Sequence, residues 1–191
     1  MLVYTTRTMM RPFSKSDLQQ LTALCTNEDA MRYIPPTFGI ENAQQIEERL
    51  ANYINHHDEF GVGFCYASDK AGNFIGRAGF HFVPEVNLYE IGYSLLPEYW
   101  GKGLATEVVA ALLEYAYNDL KLDAVCARTI VGNDRSDKVL QKCGFTRLGE
   151  RAFVVGEKLC FWNYYEHNNE EALVGHEAYM NVHEEDWNIL I

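Results

Sequence analysis

The sequence predicts one mixed α/β domain followed by a short acidic tail. Three observations carry this. The chain has 191 residues, the length of one domain with a substantial core. Strand-like segments dominate residues 60–96, and the order then becomes loop, helix, strand, helix, strand. No repeat or Ser/Pro-rich linker interrupts this run. The charge changes abruptly at Glu166: from there to Ile191 stand seven carboxylates and no Lys or Arg. The expected division is therefore a domain over 1–165 and a tail over 166–191.

The elements follow in order. Residues 1–13 hold a strand ending near "MRPF". Asp17 is placed to cap a helix through "LQQLTALCTNEDAM", with Leu18, Leu21 and Cys25 at helical spacing. The two prolines of "YIPPTFG" end it. A second helix covers "ENAQQIEERLANYINHH", with Ile46, Leu50, Tyr53 and Ile54 on one face. "VGFCYAS" and "FIGRAGFHFV" are strands joined by the turn "DKAGN". "LYEIGYSLL" is the next strand. After a glycine loop, "LATEVVAALLEYAYNDL" is a helix with Ala105, Val108, Val109, Leu112 and Ala116 as its apolar stripe. "DAVCARTIV" is a strand and "DRSDKVLQKC" a short helix that Gly144 ends in the left-handed conformation. "AFVVGEKLCFWNYYE" supplies one or two closing strands.

Composition excludes several classes. A formal net charge of −11 opposes nucleic-acid binding, which relies on basic surface. It suits cationic acceptors such as amines, although the tail holds much of it and leaves −4 on the rest. No window reaches the roughly 18 consecutive apolar residues of a membrane span. The N-terminal stretch lacks a long apolar core, so no signal peptide is expected and the expected compartment is the cytoplasm. Five cysteines without C-x-x-C spacing predict neither a disulfide framework nor a metal site.

The glycine loop "YWGKGLAT", residues 99–106, opens the long helix. The first amides of a helix lack internal partners and carry the positive end of the helix dipole. Gly101 and Gly103 let backbone approach an anion, and Lys102 adds a cation. A P-loop fails, because Lys102 is followed by Gly103 and no glycine lies five residues before Gly101. A dinucleotide fingerprint fits poorly, because Thr106 stands where a small residue belongs and "PEYW" loosens the turn. The loop does resemble the [Q/R]-x-x-G-x-[G/A] pyrophosphate loop of the GNAT acetyltransferases, with Gly103 and Ala105 at the small positions. Trp100 stands where many members carry Gln or Arg, a variant usual among RimJ/RimL-like sequences. "RPFSKSDL" and "NDRSDKVLQKCGF" resemble two further segments of the RimJ/RimL-like N-acetyltransferases, in the same order. The likeness covers about residues 1–165.

The resemblance implies the GNAT fold: a mostly antiparallel mixed sheet, splayed around an acetyl-CoA site and flanked by helices. It implies transfer of acetyl from acetyl-CoA directly to a primary amine, with a protein N-terminal α-amine as the expected acceptor. Small amines (amino acids, polyamines, antibiotics) on the same scaffold, or a non-catalytic acyl-CoA-binding module, are the alternatives. No metal, nucleic-acid or membrane partner is expected, and the chain is expected as monomer or homodimer. The cofactor-binding residues it implies are Leu95 and Leu96 (strand backbone to the pantetheine arm), Gly101, Lys102, Gly103, Leu104, Ala105 and Thr106 (pyrophosphate), and Asn133. The alternative role of Asn133 is capping the helix at 134–142, where Asp134 could serve equally.

Two catalytic residues are expected. Strand alternation puts Glu90, Gly92 and Ser94 on one face, where two small neighbours would leave room beside the carboxylate. Glu90 resembles the strand glutamate that many members use as base, and pairing with a cross-strand Arg such as Arg77 is its structural alternative. Ser136 resembles the serine that lies near the CoA sulfur and is the candidate acid. Leu140 stands where other members place a tyrosine acid. His81 is a weaker base candidate, and Cys143 reads as a helix-end core residue.

Overall fold

A computed structural model describes residues 1–35, 39–83, 87–155 and 158–169. Among the described residues, eight strands and five α-helices form the fold. β1 (Val3–Tyr4) and β2 (Thr8–Pro12) make a hairpin, and α1 (Leu18–Cys25) and α2 (Glu28–Met31) follow. Next come α3 (Ala43–Phe60), β3 (Phe64–Asp69), β4 (Phe74–Val83) and β5 (Leu88–Leu95). The second half is α4 (Leu104–Asn118), β6 (Ala124–Ile130), α5 (Asp134–Lys142), β7 (Thr146–Val155) and β8 (Lys158–Asn168). One sheet takes the order β1-β2-β3-β4-β5-β6-β8-β7. Every neighbouring pair is antiparallel except β5 and β6, which run parallel.

Both faces of the sheet are covered. α4 packs Val108, Val109 and Leu112, all fully buried, against Ile75, Phe80, Ile91 and Val125. The opposite face receives α1 and α3 through Leu21, Leu24, Ile46 and Tyr53, with Phe13 and Tyr66 from the sheet side. A smaller cluster of Cys126, Phe153, Trp162 and Tyr164 closes the β6-β8-β7 end. Burial of these side chains, at about 25 cal/mol per Å² of apolar surface, is the main force holding the layers.

Local chemistry explains the departures from the expected elements. The helix expected over 18–31 breaks at Asn27, whose side chain accepts from Ala30 N and starts α2. Asp17 does not cap α1 with its side chain. Its carboxylate takes both Arg11 guanidinium nitrogens at 2.7 Å and the Ser14 amide at 2.8 Å. β7 starts at Thr146, before the expected strand at Ala152. Glu166, the first residue of the expected tail, lies within β8, which continues to Asn168. The tail from residue 170 lies outside the described residues, as do residues 36–38 of "YIPPTFG". No helix among the described residues is long and apolar enough to cross a membrane.

Candidate active site

The site begins with a split in the sheet. The parallel strands β5 and β6 are paired at a single position, Glu90 opposite Cys126. Past it, a cleft of about 90 Å³ opens between them. It is lined by Arg77, Glu90, Tyr93, Arg128, Asn133 and Ser136 among others, with Tyr33, Ile34 and Pro35 from the segment after α2. Tyr33 Oη donates to Gly132 O at 3.1 Å and so ties that segment to the loop before α5.

Strand backbone borders this split. Gly76 opposes Leu95, and Leu96 N–H donates to Ile75 O. Backbone groups alternate sides along a strand, so the Leu95 N–H points away from β4, toward the split. The Leu96 carbonyl also accepts from Tyr99 N–H. Of the two residues expected to offer backbone to a cofactor, Leu95 faces the split and Leu96 is bonded inside the fold. Trp100 Nε1 donates to Leu95 O at 2.7 Å, which holds the indole beneath the loop.

The loop has the shape of an anion cradle. Gly101 and Gly103 both take left-handed backbone, φ +72° and +75°, and Gly103 is the residue that caps α4. An added side chain would strain either position. The helical ladder begins with Glu107 N–H to Gly103 O, so the amides of Leu104, Ala105 and Thr106 precede the first intrahelical bond. Arg7 clamps the turn. Its Nη1 donates to Lys102 O at 2.8 Å and its Nε to Glu107 Oε2 at 2.6 Å. Lys102 Nζ lies over the Tyr99 ring at 5.5 Å, and the Arg135 guanidinium over Trp100 at 4.8 Å. These residues fit a pyrophosphate at the start of α4.

Glu90 pairs with Arg128, whose Nε lies 2.9 Å from Glu90 Oε2. The expected cross-strand alternative, Arg77, stands opposite Ser94, whereas His81 stands opposite Glu90. The expected room beside Glu90 is filled. A Cβ at Gly92 would meet two atoms of the Phe64 ring at 2.7 Å, and Ser94 Oγ donates to Ala30 O at 3.2 Å. The glycine therefore admits Phe64, and the space available to a ligand lies in the split. His81 stacks on His56 with centroids 5.4 Å apart. Burial pushes its imidazole down to about 3, which makes it a poor proton acceptor at neutral pH.

Ser136 meets an unexpected partner. Tyr93 Oη lies 2.7 Å from Ser136 Oγ, and burial raises the phenol well above the ordinary tyrosine range. Asn133 Oδ1 accepts from Ser136 N at 3.4 Å, so Asn133 rather than Asp134 caps α5. Its Nδ2 has no partner among the described residues and is available at the cleft. Cys143 Sγ lies 3.6 Å from Thr106 O, packed between helices, with its thiol raised by burial. All five cysteines are free. No group of three or more His, Cys, Asp or Glu among the described residues is placed to hold a metal.

The split thus gathers Glu90, Asn133 and Ser136, with the glycine turn at the end of the same strand. Sequence reasoning missed Tyr93 and Arg128, and it named Arg77 only as a structural partner of Glu90, not as part of the cleft. Known proteins share this fold. Residues 7–146 match the acetyltransferase (GNAT) domain family. An uncharacterized N-acetyltransferase of Bacillus subtilis, YoaA, is 27% identical over 153 residues, 78% of this chain and 84% of that protein. A putative ribosomal N-acetyltransferase of the same organism, YdaF, is 35% identical over 80 residues, 41% of this chain and 44% of that protein. The crystal structure of a GNAT-family acetyltransferase from Bacillus anthracis superposes with a TM-score of 0.77 at 25% identity, covering 90% of this chain and all of that one.

Proposed function

The chain belongs to the GNAT acetyltransferase family, and from that premise we propose that its acceptor is the α-amine of a protein N-terminus. It is an acetyl-CoA-dependent N-acetyltransferase. Acetyl-CoA supplies the activated acetyl group. Leu104–Thr106 amides with Gly101, Lys102 and Gly103 hold its pyrophosphate, while the Leu95 amide and Asn133 hold its pantetheine arm. Glu90, directly or through water, takes the proton of the attacking amine. Ser136, backed by Tyr93, returns a proton toward the departing thiolate.

One observation carries the choice of acceptor. Glu90 is the sole carboxylate among the described cleft residues, and it is ion-paired with Arg128. An α-amine, with pKa about 7.7–8.0, sheds its proton near neutral pH with little help, whereas a lysine amine near 10.4 needs far more. A cleft with one paired carboxylate and a neutral His81 suits the first. The similarity to the putative ribosomal N-acetyltransferase supports the same reading.

The test is an amine panel read by thiol release. Peptides with free α-amines, including ribosomal-protein N-termini, are set against N-terminally blocked lysine peptides, spermidine and free amino acids. Free-terminus peptides should give the highest kcat/KM. Preference for spermidine or for lysine side chains would overturn the proposal.

A further inference from the structure

Arg77 is a buried cation to which the proposed transfer assigns no role. It is 5% exposed, yet it lines the cleft. Its guanidinium carbon sits 4.3 Å over the Phe64 ring and 5.4 Å from the Tyr53 ring centre. Its Nη1 donates to Tyr53 Oη, which also accepts from Arg49 Nη1 at 3.2 Å. Arg49 is matched by Glu41, with Nε to Oε2 at 2.8 Å. Arg128 is matched by Glu90. Among the described residues, no carboxylate lies within ion-pair distance of Arg77. The cluster of Glu41, Arg49, Tyr53 and Arg77 therefore holds two guanidiniums against one carboxylate.

An uncompensated buried charge is costly, and an apolar side chain of similar volume would pack against Phe64 and Tyr53 at lower cost. A cation kept there and open to a ligand cleft is suited to an anion that the ligand brings. We propose that Arg77 is the acceptor's anion subsite: the amine acetylated belongs to a chain with a carboxylate on its first or second residue. This rests on the N-terminal reading above and narrows it.

Spacing favours a side-chain carboxylate over the α-carboxylate of a free amino acid. Arg77 lies four residues along β4 from His81, the residue opposite Glu90. At roughly 3.3 Å per residue that is about 13 Å before side chains reach inward. The α-carboxylate of a free amino acid is one carbon from its amine, a shorter reach from an amine at Glu90 than a side-chain carboxylate has. The carboxylate of an aspartate or glutamate at position one or two reaches further. A polyamine would bring its second cation toward Arg77, at a Coulombic cost.

The experiment uses the full chain and peptide pairs differing only by Glu against Gln at position one or two. The Glu member should have a kcat/KM at least about tenfold higher, the scale of one charge-assisted contact. Arg77→Gln should bring that ratio close to one and raise the melting temperature of the ligand-free protein, by relieving the unmatched charge. A purely structural arginine would instead lower the melting temperature and depress both peptides alike, which overturns the subsite. If the variant does not fold, the wild-type Glu/Gln ratio decides. Equal rates on the pair overturn the subsite and leave the N-terminal reading standing. Turnover of free glutamate or aspartate above any peptide supports the carboxylate subsite and overturns the N-terminal reading. No turnover of peptides or amino acids overturns both.

Discussion

Tyr93 Oη is 2.7 Å from Ser136 Oγ and 3.2 Å from the Ser136 carbonyl oxygen. The two hydroxyls join β5 to the first turn of α5 across the split. Because burial keeps the phenol protonated, Tyr93 can resupply a proton that Ser136 gives up. Tyr93→Phe and Ser136→Ala should each lower kcat by about 10²-fold, at the lower end of general acid effects. The KM for acetyl-CoA should change little. The double variant should lose scarcely more than either single one, since both act on one proton. A fully additive loss, measured by steady-state kinetics, would separate the two residues.

Glu90 pairs with Arg128 and is also the proposed base, and one pair of variants separates the two roles. Glu90→Gln leaves Arg128, with its side chain 3% exposed, facing a neutral amide. Unfolding in urea should show a loss of roughly 1–3 kcal/mol, below the usual cost of breaking a fully buried pair because Glu90 is partly exposed. Adding Arg128→Met should restore much of that stability. Activity should fall in the first variant and stay low in the second. Recovery of kcat together with stability would refute Glu90 as the base, as would an unchanged kcat and pH profile in Glu90→Gln alone.

Arg7 holds the glycine turn without lining the cleft. Arg7→Ala removes the side-chain bonds to Lys102 O and Glu107 Oε2 and frees the turn to sample other shapes. Calorimetry should show acetyl-CoA binding weakened severalfold, with kcat at saturation nearly unchanged. Gly103→Ala should weaken binding more, because φ +75° strains any side chain by roughly 1 kcal/mol or more.

The stacked histidines make stability depend on pH. Burial lowers His81 to about 3 and His56 to about 4, both below the 6.5 of the unfolded chain. The unfolded state therefore binds more protons between those values. Their contribution is full above about pH 6.5 and falls as pH drops toward 4. The melting temperature should decline over that window, and His81→Gln should flatten the decline. An equal slope in the variant would assign the acid sensitivity elsewhere.

Much of this molecule is legible in its residues. β4 occupies the expected segment residue for residue, and Gly144 ends α5 with φ +85° as its position after "LQKC" suggests. The glycine turn is legible because its chemistry is local: two left-handed positions and a helix start lie within a few residues. The site around Glu90 is not local. Arg128 reaches Glu90 because β6 lies parallel beside β5, a neighbour no sequence spacing announces. Tyr93 escaped notice for a related reason. Strand alternation assigns it to the face opposite Glu90, but a cleft that passes through the sheet draws on both faces. Gly92 misled for the opposite reason, since the space its missing side chain leaves belongs to Phe64.

The single rung between β5 and β6 has a thermodynamic consequence. Five strands on one side and three on the other share only the Glu90–Cys126 pairing along that seam. The amides bordering it are unprotected by any ladder, so they should exchange hydrogen with solvent readily in the free protein. On the proposed reading, an extended pantetheine arm laid along Leu95 would act as a surrogate strand and complete the interrupted sheet. Part of the affinity for the acyl donor is then registered as cohesion between two halves of the fold, and donor concentration becomes a determinant of how firmly the protein holds together.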